Sequence, residues 1–202
     1  SQEEIDNHAT QEGAGLGRMR WKDLDHDGKI TELDQTWIYD PVPDFTYGFN
    51  VYLEYKNFDF TAFFQGVQGV DIISDLKKET DIWAGLNIGN LNKGHRLLNA
   101  WCVDNPSSNI PAVTLSDNNN EKRVSTYWVE NGSYLKLRTI QLGYNLPQNI
   151  VSKLSMQRLR MYVSAQNLFT LKSSSFTGVD PENPNYGYPI PLNITFGLNV
   201  TF

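Results

Sequence analysis

The sequence predicts an all-β fold, a run of antiparallel strands from the wall of a membrane-spanning β-barrel, and three observations carry that reading. Five segments alternate apolar and polar residues with period 2, which gives each of them one apolar face. Each alternation lasts about 10 to 12 residues, beyond the usual globular strand of roughly 5 to 6 and close to a tilted strand that crosses a bilayer. The connections between them are alternately short and long, the plan of a barrel with tight turns on one side of a membrane and long loops on the other.

The first strand sets Phe45, Tyr47, Phe49, Val51, Leu53 and Tyr55 against Thr46, Gly48, Asn50, Tyr52 and Glu54. Lys56-Asn57 then makes a tight hairpin into a second strand, where Phe58, Phe60, Ala62 and Phe64 oppose Asp59, Thr61, Phe63 and Gln65. The third, over 133–144, changes parity: Leu135 and Leu137 share one face, whereas Ile140, Leu142 and Tyr144 need the other register. A single register would put Lys136 and Arg138 on the apolar face, at roughly 2–4 kcal/mol each at mid-depth in lipid. A β-bulge near Arg138-Thr139 is therefore expected, since one extra residue resets the parity. The fourth strand opposes Leu159, Met161, Val163, Ala165 and Phe169 to Arg158, Arg160, Tyr162, Ser164 and Gln166. The last alternates without a break from Leu192 to Phe202.

These strands divide the chain into an outer loop segment, 1–44, and a barrel section, 45–202. The barrel section contains a two-residue turn at 56–57, long loops over 66–132 and 170–191, and a short link at 146–156 that includes Pro147. With Phe202 at the short-turn side, Tyr55, Phe58 and Tyr144 fall at the same level, and Phe45, Tyr47 and Phe169 fall at the long-loop level. Two aromatic girdles follow from one assignment, as expected of side chains at two membrane interfaces.

Composition narrows the function. The 202 residues carry 17 basic and 23 acidic side chains, a net charge of −6, and no basic run, which argues against nucleic-acid or anionic-lipid binding. Mean hydropathy is −0.45, and no apolar stretch reaches the 18 or so residues of a membrane helix. A barrel strand escapes that test because its lipid face occupies only alternate positions. Cys102 is the sole cysteine, so no internal disulfide forms; with no activating base nearby, it reads as structural. The start, Ser1-Gln2-Glu3-Glu4-Ile5, has no initiating Met, basic n-region or apolar h-region, as expected of a piece of a longer chain.

One loop has metal-ligand spacing. Asp23, Asp25, Asp27, Gly28 and Asp34 fall at positions 1, 3, 5, 6 and 12 of an EF-hand-type calcium loop, and Lys29 offers its backbone carbonyl at position 7. Asp34 replaces the usual bidentate Glu, as in dockerin-type loops. The expected role of a calcium ion bound at 23–34 is structural, stiffening a loop outside the cell, because no paired second loop or flanking amphipathic helix accompanies it. His8, His26 and His95 lack ligand spacing. No Ser/His/Asp order, HExxH, Walker loop or GxGxxG element is present, and Glu54 and Asp59 sit on the polar parity of barrel strands, so the chain does not read as an enzyme. Trp21, Trp37, Trp83, Trp101 and Trp128 fall in or near loops, where an aromatic ring stacks on a sugar or orders the loop against a partner.

In order along the chain, the motifs resemble those of one family, the SusC/RagA-like TonB-linked outer-membrane transporters, over their C-terminal part. They are Asp23-Leu-Asp-His-Asp-Gly-Lys-Ile-Thr-Glu-Leu-Asp34, Pro43-Asp-Phe-Thr-Tyr-Gly-Phe49, Phe63-Phe-Gln-Gly-Val-Gln-Gly69, Asn131-Gly-Ser-Tyr-Leu-Lys-Leu-Arg-Thr-Ile-Gln-Leu-Gly-Tyr144, Tyr162-Val-Ser-Ala-Gln-Asn-Leu-Phe169 and Ile194-Thr-Phe-Gly-Leu-Asn-Val-Thr-Phe202. The resemblance implies a barrel of about 22 strands around a plugged lumen. It also implies import of oligosaccharides, peptides or other bulky nutrients, energised by the TonB complex, with a SusD-like surface lipoprotein over the barrel. The plug and the TonB-contacting segment would belong to the rest of the transporter, and the strand ending in Phe202 would be read by the barrel-assembly machinery. The competing expectation is a soluble β-sandwich glycan-binding module that carries a calcium loop.

Overall fold

The computed structural model describes residues 1–81, 93–114, 116–184 and 187–202. They form two compact units, one of residues 1–39 and 73–129 and one of residues 40–72 and 130–202. The long excursion after the second strand is thus grouped largely with the N-terminal segment, a long-range association that periodicity does not encode.

The first unit is mostly loops. Its helices are short: α1 (Gln2–Asp6), capped by the Ser1 hydroxyl accepting from the Glu4 N–H, and α2 (Asp75–Asp81). Trp128, fully buried, is the apolar centre and packs against Met19, Ile73 and Tyr127. Around it the loops are tied by polar groups, because backbone buried outside helix or sheet must still find partners. The buried Glu121 carboxylate accepts from Arg18 Nε at 2.9 Å, the Met19 N–H at 2.9 Å and Asn119 Nδ2 at 3.1 Å, while its carbonyl accepts from Trp128 Nε1 at 3.2 Å. Trp128 is therefore a core residue, and Trp83 lies outside the described residues. Cys102 is an exposed thiol in a turn, which corrects the structural reading of that residue: nothing packs it into a core.

The second unit holds the barrel strands. In chain order the strands are β1 (Phe45–Tyr55), β2 (Phe58–Gln68), β3 (Asp71–Ile73), β4 (Val129–Asn131), β5 (Tyr134–Asn145), β6 (Arg158–Lys172) and β7 (Asn193–Thr201). β1, β2, β5, β6 and β7 make one antiparallel sheet in that order, and the short β3 and β4 pair separately. The β1–β2 hairpin turns at Lys56, whose φ of 55° lies in the left-handed region. The β5–β6 link contains a short helix, α3 (Gln148–Val151), which starts directly after Pro147.

The expected bulge is present. Phe63 faces Thr139 and Phe64 faces Leu137, which leaves Arg138 as the extra residue of β5. Arg138 thereby joins Lys136 and Tyr134 on one face, and Ile140 and Leu142 join Leu135 and Leu137 on the other. β6 answers with an irregularity of its own: its register steps from Gln166 opposite Thr139 to Phe169 opposite Leu137, and Asn167 between them has φ 55°. The strand then continues to Lys172, so the following loop begins later than the alternation suggests.

In this register the apolar residues of all five strands line up in rows on one face. Tyr55, Phe58, Tyr144, Met161 and Leu198 form the row nearest the short turns, with the Phe58 and Tyr144 rings 4.7 Å apart. Val51, Ala62, Ile140, Ala165 and Ile194 form the middle row. Phe49, Phe64, Leu137 and Phe169 form a third toward the long loops, with Phe49 stacked on Phe64 at 4.6 Å.

Candidate functional site

The two faces of this sheet differ in chemistry, and that difference defines the site. The apolar face is open: Phe196 is 80% exposed, Leu198 65% and Leu53 60%. A β-sandwich buries such a face against a second sheet, and large contiguous apolar surface is not left to water. Lipid is the solvent that suits it.

The opposite face is polar and carries two charged clusters, one at each end. At the short-turn end Arg160 of β6 reaches across β5 to Asp59 of β2, with Nε 2.9 Å from Oδ2 and Nη2 against Oδ1, a bidentate pair. The side chains meet directly over Gly143, where a Cβ would collide with both, so this position needs glycine for close approach. Arg158 donates to Asn145 Oδ1 at 2.8 and 2.9 Å beside them.

At the long-loop end Lys136 is completely buried. Its Nζ donates to both oxygens of Asp180, at 2.8 and 3.0 Å, and to Glu182 at 2.5 Å. Glu182 also accepts from Arg138 and from the Tyr134 hydroxyl, the latter at 2.8 Å. Burial pushes the Glu182 carboxyl up, but hydrogen bonds from Lys136, Tyr134 and Arg138 outweigh it and hold the carboxyl below its ordinary value. Between the clusters the inward residues, among them Asn50, Thr61, Thr139, Gln141, Ser164 and Thr195, are uncharged. Asp59, Asp180 and Glu182 are each tied to a cation, and Glu54 accepts from the Tyr52 hydroxyl at 3.1 Å. These four carboxylates, two on strands and two on the β6–β7 loop, are thus engaged in holding neighbours.

The first unit supplies the candidate metal loop. Carboxylate oxygens of Asp23, Asp25 and Asp27 lie within 4.8 Å of one another. The Asp23 carboxylate accepts from the N–H groups of His26 (2.8 Å) and Gly28 (3.0 Å), and Asp27 accepts from Lys29 N–H (2.8 Å). Gly28 has φ 82°, the sharp turn expected at position 6. Two backbone bonds, Thr10 N–H to Gly28 carbonyl and Ile30 N–H to Thr10 carbonyl, both 2.9 Å, anchor the loop. Asp34 stands apart from the trio. Its two oxygens accept from Leu24 and Thr31 N–H, both at 2.7 Å, and the Thr31 and Leu24 bonds hold its carboxyl below the ordinary aspartate value. The donor set is hard, anionic oxygen, which suits calcium. In the same unit a cavity of about 910 Å³ is lined by Trp21, Trp37, Tyr39, Trp101 and Tyr127, with the Arg123 guanidinium 4.1 Å from the Trp21 ring.

Lys136 and its loop partners escape sequence reasoning because they are 44 and 46 residues apart; the only signal was the awkward placement of Lys136 and Arg138 in an otherwise apolar strand.

No family model matches the chain. It is 37% identical, over 92% of its length, to TonB-dependent receptor P3 of Formosa agariphila, and covers 19% of that protein. It is 26% identical, over 89% of its length, to TonB-dependent receptor SusC of Bacteroides thetaiotaomicron, and covers 17% of it. Among solved structures, the RagAB peptide importer in its closed-closed state superposes with a TM-score of 0.70 and 27% identity, over 89% of this chain and 20% of that one. The chain thus spans about a fifth of the length of the curated relatives it matches, 19% and 21% for two of them.

Proposed function

The chain belongs to the SusC/RagA-like TonB-dependent receptors and forms antiparallel strands of an outer-membrane β-barrel, and from this we propose that the whole receptor imports oligosaccharides or other bulky nutrients. The observation that carries the reading is the sheet with one open apolar face and one polar face, since a barrel wall meets lipid outside and a wet lumen inside. The strands of this segment supply lumen wall on the polar side. In the proposal a SusD-like surface lipoprotein caps the barrel, the TonB complex energises uptake, and the barrel-assembly machinery recognises the strand before Phe202. Peptide cargo is included because the solved relative is a RagAB peptide importer. The stacking surfaces of Trp21, Trp37 and Trp101 give cargo or the lipoprotein aromatic rings to pack on.

The test is uptake by cells that lack the receptor gene and are complemented with it, with TonB present or deleted. Accumulation of labelled oligosaccharides or peptides only when both are present is the expected result. Uptake that ignores TonB, or no uptake of either cargo, would overturn the reading.

Calcium is part of the same proposal. Asp23, Asp25 and Asp27 would hold the ion with the Lys29 carbonyl, and Asp34, already closing the loop through two N–H groups, would act at its edge. The ion supplies positive charge that lets three carboxylates share one turn. Metal analysis of the purified receptor is expected to find calcium that is lost in Asp23→Ala; no calcium in the intact protein would refute it.

A further inference from the structure

We infer that Lys136 is a positioning residue that clamps the β6–β7 loop onto the inner wall, so that residues 173–184 form a fixed ledge narrowing the outer mouth of the barrel. The narrowing rests on the import reading above; the clamp does not.

The geometry points one way. Tyr134, Lys136 and Arg138 occupy the inward parity of β5, opposite the lipid-facing Leu135 and Leu137. All three bond to carboxylates of the loop: Lys136 to Asp180 and Glu182, Arg138 and Tyr134 to Glu182. A loop held by inward side chains lies over the inner face. It is also fixed on either side of those acids. Glu130 accepts from the Thr177 N–H at 3.0 Å and its hydroxyl at 2.8 Å, and Lys172 Nζ donates to the Gly178 carbonyl while sitting over the Phe176 ring. Phe176 is buried, and its ring fills the space where a side chain at Gly178 would go. A second layer of backbone on a sheet stands about 10 Å off it, a large fraction of what a bulky cargo needs.

The clamp is all-or-none for an electrostatic reason. Two cations and two carboxylates face one another, and three carboxylate oxygens surround the buried Lys136 ammonium, which has no water to turn to in their place. A small outward slip of the loop would remove acceptors before water reached the ammonium. Full release would hydrate all four charges. The loop is therefore stable either docked or free, and half-docked positions are disfavoured.

The test uses the intact receptor with Lys136→Met on the wall side and, separately, Asp180→Asn with Glu182→Gln on the loop side, so that a folding failure of one variant leaves the other. Amide exchange of residues 173–184 reads the clamp, and the longest peptide or oligosaccharide taken up, from a ladder of increasing length, reads the ledge. Expected are strong protection in the native receptor, loss of protection by about tenfold or more in both variants, and uptake of longer cargo by both. Lys136→Arg, which keeps the charge, should retain most of the protection. Coil-like exchange of the loop in the native receptor, or unchanged protection in both variants, would overturn the clamp. Lost protection with an unchanged length limit would reduce the loop to a structural brace and overturn the ledge. If the native receptor takes up neither cargo, the import reading fails, and exchange alone decides the clamp.

Discussion

The assignment of the two faces can be tested by placing one charge on adjacent residues of β7. Ile194 pairs with Ala165, in the row that continues through Ile140 and Ala62 to Val51. β1 has 11 residues; at about 3.3 Å per residue and a tilt near 45° it spans about 25 Å, which matches the apolar band of a membrane barrel and puts the Val51 row close to its middle. Ile194→Arg therefore places a guanidinium near the bilayer midplane, at a cost of about 2–4 kcal/mol. That lowers the folding equilibrium constant by more than tenfold, since about 1.4 kcal/mol is one decade. Thr195→Arg, one residue on, points into the lumen and should stay within about 0.5 kcal/mol of the native protein. The assay is the urea dependence of the folded fraction of the intact receptor in lipid vesicles, read by the mobility of the unheated band on a denaturing gel. Equal costs at both positions, or the larger cost at Thr195, would mean that the apolar face does not meet lipid.

Three further outcomes follow. Gly143→Val should destabilise the receptor by about 1–3 kcal/mol, because a Cβ there displaces the Asp59–Arg160 pair, whereas the urea midpoint of Gln141→Val, two residues away on the same face, should barely move. Removal of calcium by a chelator should increase proteolytic cleavage within residues 23–34 in the native receptor and have no added effect in Asp23→Ala. The Glu182 carboxyl is held below its ordinary value of 4.5. Its contribution to loop docking is thus complete above that value and is lost as pH falls through the lower, folded-state value. Exchange of residues 173–184 should accelerate only in that acid range, and Glu182→Gln should remove this dependence.

Period 2 made the barrel wall legible. A strand between lipid and water declares its register in its own residues, since a slip by one would exchange every side chain between the two solvents. The same constraint located the bulge: Lys136, Arg138, Ile140 and Leu142 cannot share a lipid face, and one extra residue at Arg138 resolves them. The spacing of Asp23, Asp25, Asp27 and Gly28 was equally local, and the structure gathers the three carboxylates around the turn that Gly28 permits. Asp34, twelfth in the same spacing, closes the loop by accepting from the backbone N–H groups of Leu24 and Thr31, contacts that spacing alone does not specify.

What the sequence hid was held by long-range polar contacts. Glu121 ties loops roughly a hundred residues apart, and Lys136 meets acids on the loop beyond the next strand. A charged residue in a sequence looks the same whether it will face water or be buried with a partner, because burial is decided by where the rest of the chain goes. Yet several of these charges follow a rule that physics supplies. Asp59 is matched by Arg160, and Lys136 and Arg138 are matched by Asp180 and Glu182, while the residues between them are neutral. A wall that must let other matter pass along it is better served by charges satisfied within itself, since a bare buried-edge charge would hold any complementary group that came by. On that argument cations in the alternating segments such as Lys136, Arg138 and Arg160 were positions at which to look for acidic partners elsewhere in the chain, and the acid-rich stretch 180–182 was the place to find two of them.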